Sequence, residues 1–165
     1  MEELYKSGKA KSIGVSNWTI SGLEVLLSYA SIVPAINQIE IHPFFPNTEL
    51  VDYCFSKNIL PVAYSPLGSQ NPELVTGKSL LENPELKGIA QKKGINVGQL
   101  CIAWGLKRGY AVLPKSANKE RIKKNTELVE LSGDEFRAIN AATRGKNIRM
   151  VDLSRVFGRD MWSEK

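Results

Sequence analysis

Apolar residues follow two rhythms along this chain. Short, mostly apolar runs recur as "SIGVS" (12–16), "PAINQIEI" (34–41), "ILPVAYS" (59–65) and "YAVLPK" (110–115). Runs of that length and composition predict strands buried on both faces. Between them the apolar positions take helical spacing. Ile20, Leu23, Leu26 and Leu27 share one face of a segment that Thr19 or Ser21 can cap. Thr48 starts another, carrying Leu50, Val51 and Cys54, and Pro84 to Lys93 reads as a third. Asn96 with Gln99 three residues on predicts a capped start for "GQLCIAWGLKR". Asn118 caps "KERIKKN", and Ser132 with Glu135 opens a last helix that runs to about Ala142. The opening "MEELYKSGK" reads as the last turns of a helix ending at Gly8, which implies sequence once upstream of it. The result is a single α/β domain over 1–165 with an irregular tail over 146–165. Four strands alternating with helices imply a parallel sheet with right-handed crossovers.

Polar residues gather where the strands end: Ser16 and Asn17, Gln38 and Glu40, Tyr64 and Ser65, Lys115 and Ser116. Parallel α/β folds bind ligands at the carboxyl ends of their strands. A fourfold repeat of the pattern therefore points to a ligand rather than to chance. The last cluster is the most pointed. Lys115 is a point charge, Ser116 a hydroxyl, Asn118 opens a helix, and Arg121 lies one turn in and can fork onto phosphate oxygens. That grouping suits an anion. Tyr64 offers a flat ring for stacking. Ser16, Asn17 and Gln38 together supply the donors and acceptors that a carboxamide needs. The turn "SPLGS" (65–69) can wrap a pyrophosphate with backbone N–H groups and the hydroxyls of Ser65 and Ser69.

Composition narrows the picture. The chain of 165 residues is 42% apolar and 24% charged, ordinary globular usage, with a net charge of +5 that admits phosphate ligands or nucleic acid. Cys54 and Cys101 sit in apolar helical patterns without metal or redox spacing. With no signal peptide and no apolar run long enough to span a bilayer, they predict buried thiols in a reducing, cytoplasmic setting and no membrane partner. "TGKS" (76–79) fails as a phosphate loop because Pro72 stands where the first glycine belongs, and G-x-G-x-x-G is absent. His42, the single histidine, has no second histidine or cysteine cluster nearby, so a structural role is expected. Tyr5 and Lys6 lie in the frayed opening helix and make a poor acid–base pair.

Four stretches, "GKAKSIGVSNW" (8–18), "PAINQIEIHPF" (34–44), "VAYSPLGS" (62–69) and "VLPKSANKERIKKN" (112–125), together resemble the aldo-keto reductases in order and spacing. The resemblance implies half of a TIM-type (α/β)8 barrel and NADPH-dependent reduction of a small aldehyde or ketone to an alcohol. By it, Ser16, Asn17 and Gln38 are nicotinamide carboxamide contacts and Tyr64 stacks on the nicotinamide. Ser65, Leu67 and Ser69 form the pyrophosphate loop. Lys115, Ser116 and Arg121 grip the 2′-phosphate of NADP, and Asn125 meets the adenine. Lys124 departs from the family, many of whose members carry a glutamate there. A full barrel needs about 250 residues and eight strands. The family's catalytic tetrad of aspartate, tyrosine, lysine and histidine lies in the N-terminal half, so no catalytic residue is assigned to this chain. The tail "RVFGRDMW", with Phe157 and Trp162, is a candidate substrate loop.

Two readings compete. One is a non-catalytic half-barrel that binds nucleotide or a protein partner and self-associates to cover its open sheet edges. The other is nucleic-acid binding through Lys115, Lys119, Arg121, Lys123 and Lys124; no aromatic platform accompanies that cluster, and no nucleic-acid partner is expected.

Overall fold

The computed structural model describes residues 1–69, 79–151, 154 and 158. Phe157, Trp162, most of the tail and most of "TGKS" lie outside the described residues. In chain order the elements are α1 (Glu2–Lys6), β1 (Val15–Ser16), α2 (Ile20–Tyr29), β2 (Ile36–Glu40), α3 (Thr48–Ser56), β3 (Leu60–Tyr64), α4 (Pro84–Lys93), α5 (Val97–Lys107), β4 (Ala111–Leu113), α6 (Lys119–Thr126) and α7 (Gly133–Ala142). A short 3-10 turn at Leu80–Glu82 precedes α4. The four strands form one parallel sheet in the order β1-β2-β3-β4.

Helix starts follow local chemistry. Thr19 Oγ1 accepts from Gly22 N at 3.2 Å, Asn83 Oδ1 from Leu86 N at 2.9 Å, and Asn118 Oδ1 from Arg121 N at 3.0 Å. The two capping boxes, Asn96 with Gln99 and Ser132 with Glu135, are both closed. Each side chain satisfies an N–H that the helix itself leaves open. Strands are shorter than the apolar runs imply, because pairing sets them. β1 has only β2 beside it and pairs through Val15 and Ser16. β4 stops before Pro114, which has no N–H to offer. β3 ends where Ser65 turns to φ 48°. Pro61 is tolerated inside β3 because β4 pairs only from Val62 onward.

Register divides the sheet into two faces. Asn37, Ile39, Pro61, Ala63 and Val112 share the helix-covered face, whose core includes Leu86, Leu100, Trp104 and Ile139. A smaller cluster of Leu23, Cys54 and Ile59 lies beside Val15. Both cysteines are free and buried, as the sequence implies. Trp104 takes its indole N–H to Asn140 Oδ1 at 2.8 Å, so the largest buried side chain leaves no donor unpaired. The other face carries Ser16, Ile36, Gln38, Glu40, Leu60, Val62, Tyr64 and Leu113. There Leu60 and Leu113 remain 40% and 48% exposed.

Candidate functional site

The polar strand ends lie in two successive rows of the sheet. Ser16 stands opposite Gln38, Glu40 opposite Tyr64, and Tyr64 opposite Leu113. A parallel ladder with side chains alternating at every step thus brings Ser16, Gln38 and Tyr64 to one face and one end of the sheet. Ser16 donates its hydroxyl to Gln38 O at 2.9 Å. Asn17, at φ 60°, donates its N–H to the same carbonyl at 2.9 Å. Buried Asn37 fixes this corner from behind: its Nδ2 donates to Trp18 O at 3.0 Å, and its Oδ1 accepts from Trp18 N at 3.4 Å. Asn17 Oδ1 is left buried with no partner, an acceptor held open at a strand end. Ser65, at the end of β3, is also left-handed at φ 48°. Such backbone conformations are sparsely populated and concentrate at ligand sites.

Tyr64 is half-buried, yet its hydroxyl is sealed and has no hydrogen-bond partner. The exposed part of the residue is therefore not its polar tip. Burial, then the Glu40 charge, pushes the phenol up to about 12, and Arg149 only partly offsets them. A phenol shifted that way is a poor acid at neutral pH.

Ser65, Leu67, Ser69, Lys115, Ser116, Arg121 and Asn125 all line a single cavity of about 930 Å³. That volume is toward the upper end for small-molecule sites. No described aspartate or glutamate lines it. The walls come from the turn after β3, the end of β4, and the starts of α5 and α6. The α6 start is more occupied than its sequence implies. Asn118 Oδ1 already takes the Arg121 N–H, and Ser116 Oγ accepts from Asn118 N at 3.1 Å. The cations available to an anion here are thus the side chains of Lys115 and Arg121. Lys124 turns away from the cavity to an ion pair with Glu127 at 2.7 Å. Asn96, Val97 and Gly98 also line the space. From the sequence Asn96 is recognisable only as a helix cap, although a helix start in an α/β fold faces the strand ends where ligands bind.

His42 lies in the interior with Nε2 2.9 Å from Glu40 Oε1, a structural role as the sequence implies. No group of three or more histidine, cysteine, aspartate or glutamate residues among the described residues is placed to hold a metal. No described helix is long and apolar enough to cross a membrane.

A model of the "Aldo/keto reductase family" matches residues 1–144. This chain belongs to the aldo/keto reductase family. Over all 165 residues it is 53% identical to a glycerol 2-dehydrogenase (NADP(+)) of Hypocrea jecorina, covering 52% of that protein. It is 44% identical over 153 residues to a glycerol 2-dehydrogenase (NADP(+)) of Saccharomyces cerevisiae, covering 92% of this chain and 47% of that protein. Among solved structures, an aldose reductase from Giardia lamblia superposes with a TM-score of 0.88 at 38% identity, over 99% of this chain and 54% of that one. A Bombyx mori aldo-keto reductase in complex with NADP gives a TM-score of 0.85 at 34% identity, over 99% and 54%. The chain spans about half the length of the curated relatives it matches. Its four strand–helix units are accordingly a parallel half of the TIM-type barrel.

Proposed function

We propose that this chain supplies the NADP(H)-binding half of an aldo-keto reductase that interconverts a small carbonyl compound and its alcohol. The observation that carries the reading is the convergence of seven sequence-singled residues, from Ser65 to Asn125, on one cation-lined cavity. Ser16, Asn17, Gln38 and Tyr64 continue it along the strand ends. The residues fit the group. An open buried acceptor at Asn17 matches an amide N–H, and a half-buried tyrosine with a sealed hydroxyl presents its ring. Two side-chain cations in a cavity that no described carboxylate lines match a phosphate. When bound, the cofactor supplies a hydride for a carbonyl carbon. Ser16, Asn17 and Gln38 orient the carboxamide, Tyr64 supports the ring, the 65–69 turn wraps the pyrophosphate, and Lys115, Ser116 and Arg121 hold the 2′-phosphate. Asn125 stands on the adenine side. Lys124, where the sequence departs from the family, pairs with Glu127 and is not among the residues that line the cavity. No residue of this chain is proposed as the proton donor.

The test is a fluorescence titration of the chain with NADPH, with NADH as the control. Saturable binding that prefers NADPH is expected, with the preference falling about tenfold or more in Lys115→Ala/Arg121→Ala, since charge-assisted hydrogen bonds contribute roughly 1.5–3 kcal/mol each. Equal affinity for the two nucleotides, or a double variant that binds as wild type does, refutes the 2′-phosphate assignment.

A second reading rests on the open sheet face. Leu60 and Leu113 stand exposed there, and among the described residues β1 and β4 are the edge strands of the sheet. Both features favour self-association into an eight-strand arrangement. Light scattering at micromolar concentration checks it, and a compact monomer rules it out. The basic residues of α6 favour the nucleotide over nucleic acid, because Arg121 lines the cavity while Lys124 is ion-paired, which breaks up a continuous basic patch.

A further inference from the structure

We propose that Glu40 is a positioning residue for the cofactor site, acting through residues 148–151; the inference rests on the NADP(H) reading above. Glu40 ends β2 on the same face as Tyr64 and directly opposite it in the ladder, yet it is wholly buried. What covers it is chain 110 residues away. Its Oε1 accepts from Met150 N at 2.7 Å, its Oε2 accepts from Val151 N at 3.1 Å, and Arg149 Nη1 lies 4.0 Å from Oε2. His42 Nε2 approaches Oε1 at 2.9 Å on the same side. One step earlier, Ile148 N donates to Phe44 O at 2.8 Å. Irregular backbone buried in this way must find acceptors for its N–H groups, and a carboxylate can take several at once. A buried glutamate at the end of β2 is thereby explained.

The fastened segment reaches the cofactor cavity by its side chain. Met150 is fully buried. A methyl group placed on Gly68 would fall 2.7 Å from Met150 Sδ and 3.2 Å from Leu80 Cβ, so Met150 and Leu80 lie hard against the 65–69 turn. Gly68 itself lines the cavity. Contacts therefore run unbroken from Glu40 through Met150 to the turn assigned to the pyrophosphate. The two ends of the connection can be broken separately. Glu40→Gln keeps Oε1 as an acceptor for Met150 and leaves Val151 N, which lies 3.1 Å from Oε2 and 3.3 Å from Oε1, only the longer of its two contacts. Met150→Ala leaves the backbone bonds to Glu40 in place and removes the packing on Gly68.

The experiment combines amide hydrogen exchange at residues 150 and 151 with NADPH titration of wild type, both single variants and the double. In wild type both amides are expected to be protected. Glu40→Gln should speed exchange at Val151 and weaken NADPH by about fivefold, the lower end of ordinary site-to-site coupling. Met150→Ala should leave the amides protected and weaken NADPH to a similar degree. The double variant should bind no more weakly than the weaker single, because both act on one connection. Free exchange in wild type, additive losses in the double, or an Glu40→Gln variant with a freed amide and unchanged affinity overturns the positioning role. A wild-type chain that fails to bind NADPH overturns the functional reading with it, and the exchange data then report the fastening alone. Should Glu40→Gln not fold, unchanged affinity in Met150→Ala overturns the proposal by itself.

Discussion

Replacing Gly68 by alanine tests the turn that links the cofactor cavity to the core. Gly68 sits at φ +69°, with its N–H donated to Ser65 O at 2.8 Å, so the turn needs a left-handed residue there. Alanine in that conformation costs about 1–2 kcal/mol. Its methyl would also meet Met150 Sδ at 2.7 Å and Leu80 Cβ at 3.2 Å, both on fully buried residues. The sulfur can swing away, but the Cβ is fixed to backbone, and overpacking of this kind costs about 1–3 kcal/mol. Stiffening of the unfolded chain offsets roughly 0.4–1 kcal/mol. The net loss is then about 2–4 kcal/mol, which in a chain of this size lowers the melting temperature by on the order of 5–15 °C. Gly94→Ala separates the two contributions. Gly94 caps α4 at φ +74° with nothing within 4 Å of the added methyl, so only the backbone cost applies, about 1–2 kcal/mol. Urea denaturation measures both variants, and NADPH titration of folded Gly68→Ala shows whether the strain reaches the cavity. If Gly68→Ala is no more destabilising than Gly94→Ala, the close packing of Met150 and Leu80 on the turn is wrong.

Two further outcomes follow from named groups. Tyr64→Phe removes a buried hydroxyl that has no partner, so the chain should be as stable as wild type or slightly more so. It should bind NADPH within about twofold, whereas Tyr64→Ala should weaken binding roughly three- to tenfold through loss of the ring; equal weakening by both variants would mean that the hydroxyl, not the ring, makes the contact. Glu135 is held below its ordinary value of 4.5 chiefly by the Ser132 N–H, with help from Lys93, so the fold favours its charged form. Its contribution is full above pH 4.5 and fades as pH falls through the depressed folded value. Wild type should accordingly be more stable than Glu135→Gln near neutrality, and the gap should close as acid is added; a gap that stays constant to pH 3 contradicts the assignment.

What the sequence made legible was local. Asn96 with Gln99 and Ser132 with Glu135 announce their helices because a cap and its partner lie three residues apart and need nothing else. Strand ends were less so. The run 12–16 shortens to Val15–Ser16 because its neighbour, not its composition, decides how far it pairs. Of the candidate site, the side chains after β3 and β4 could be singled out from their position at strand ends. The role of Glu40 could not. It reads there as one more polar residue at a strand end, and only a contact across 110 residues shows that it carries buried backbone. The wall formed by Asn96 to Gly98 was hidden for a related reason. The same asparagine serves as a cap along the sequence and as a lining residue in space, and only the first role has a sequence signature.

Holding a cofactor and delivering a proton make opposite demands on their surroundings, and the groups proposed for the cofactor suit the first. A nucleotide needs open acceptors, an accessible ring and unpaired cations. Asn17 Oδ1, the Tyr64 ring, Lys115 and Arg121 are arranged in that way at the ends of three strands. A general acid needs a proton of moderate affinity facing the substrate. Two titratable side chains near the strand ends fail that requirement. Tyr64 has its hydroxyl sealed and pushed up to about 12. His42 is turned inward onto Glu40, with only 1% of its surface exposed. His42 is taken up by the buried carboxylate that fastens residues 148–151, and for Tyr64 that charge adds to burial in raising the affinity of the phenol for its proton. Under the proposed function, neither Tyr64 nor His42 therefore serves as the acid.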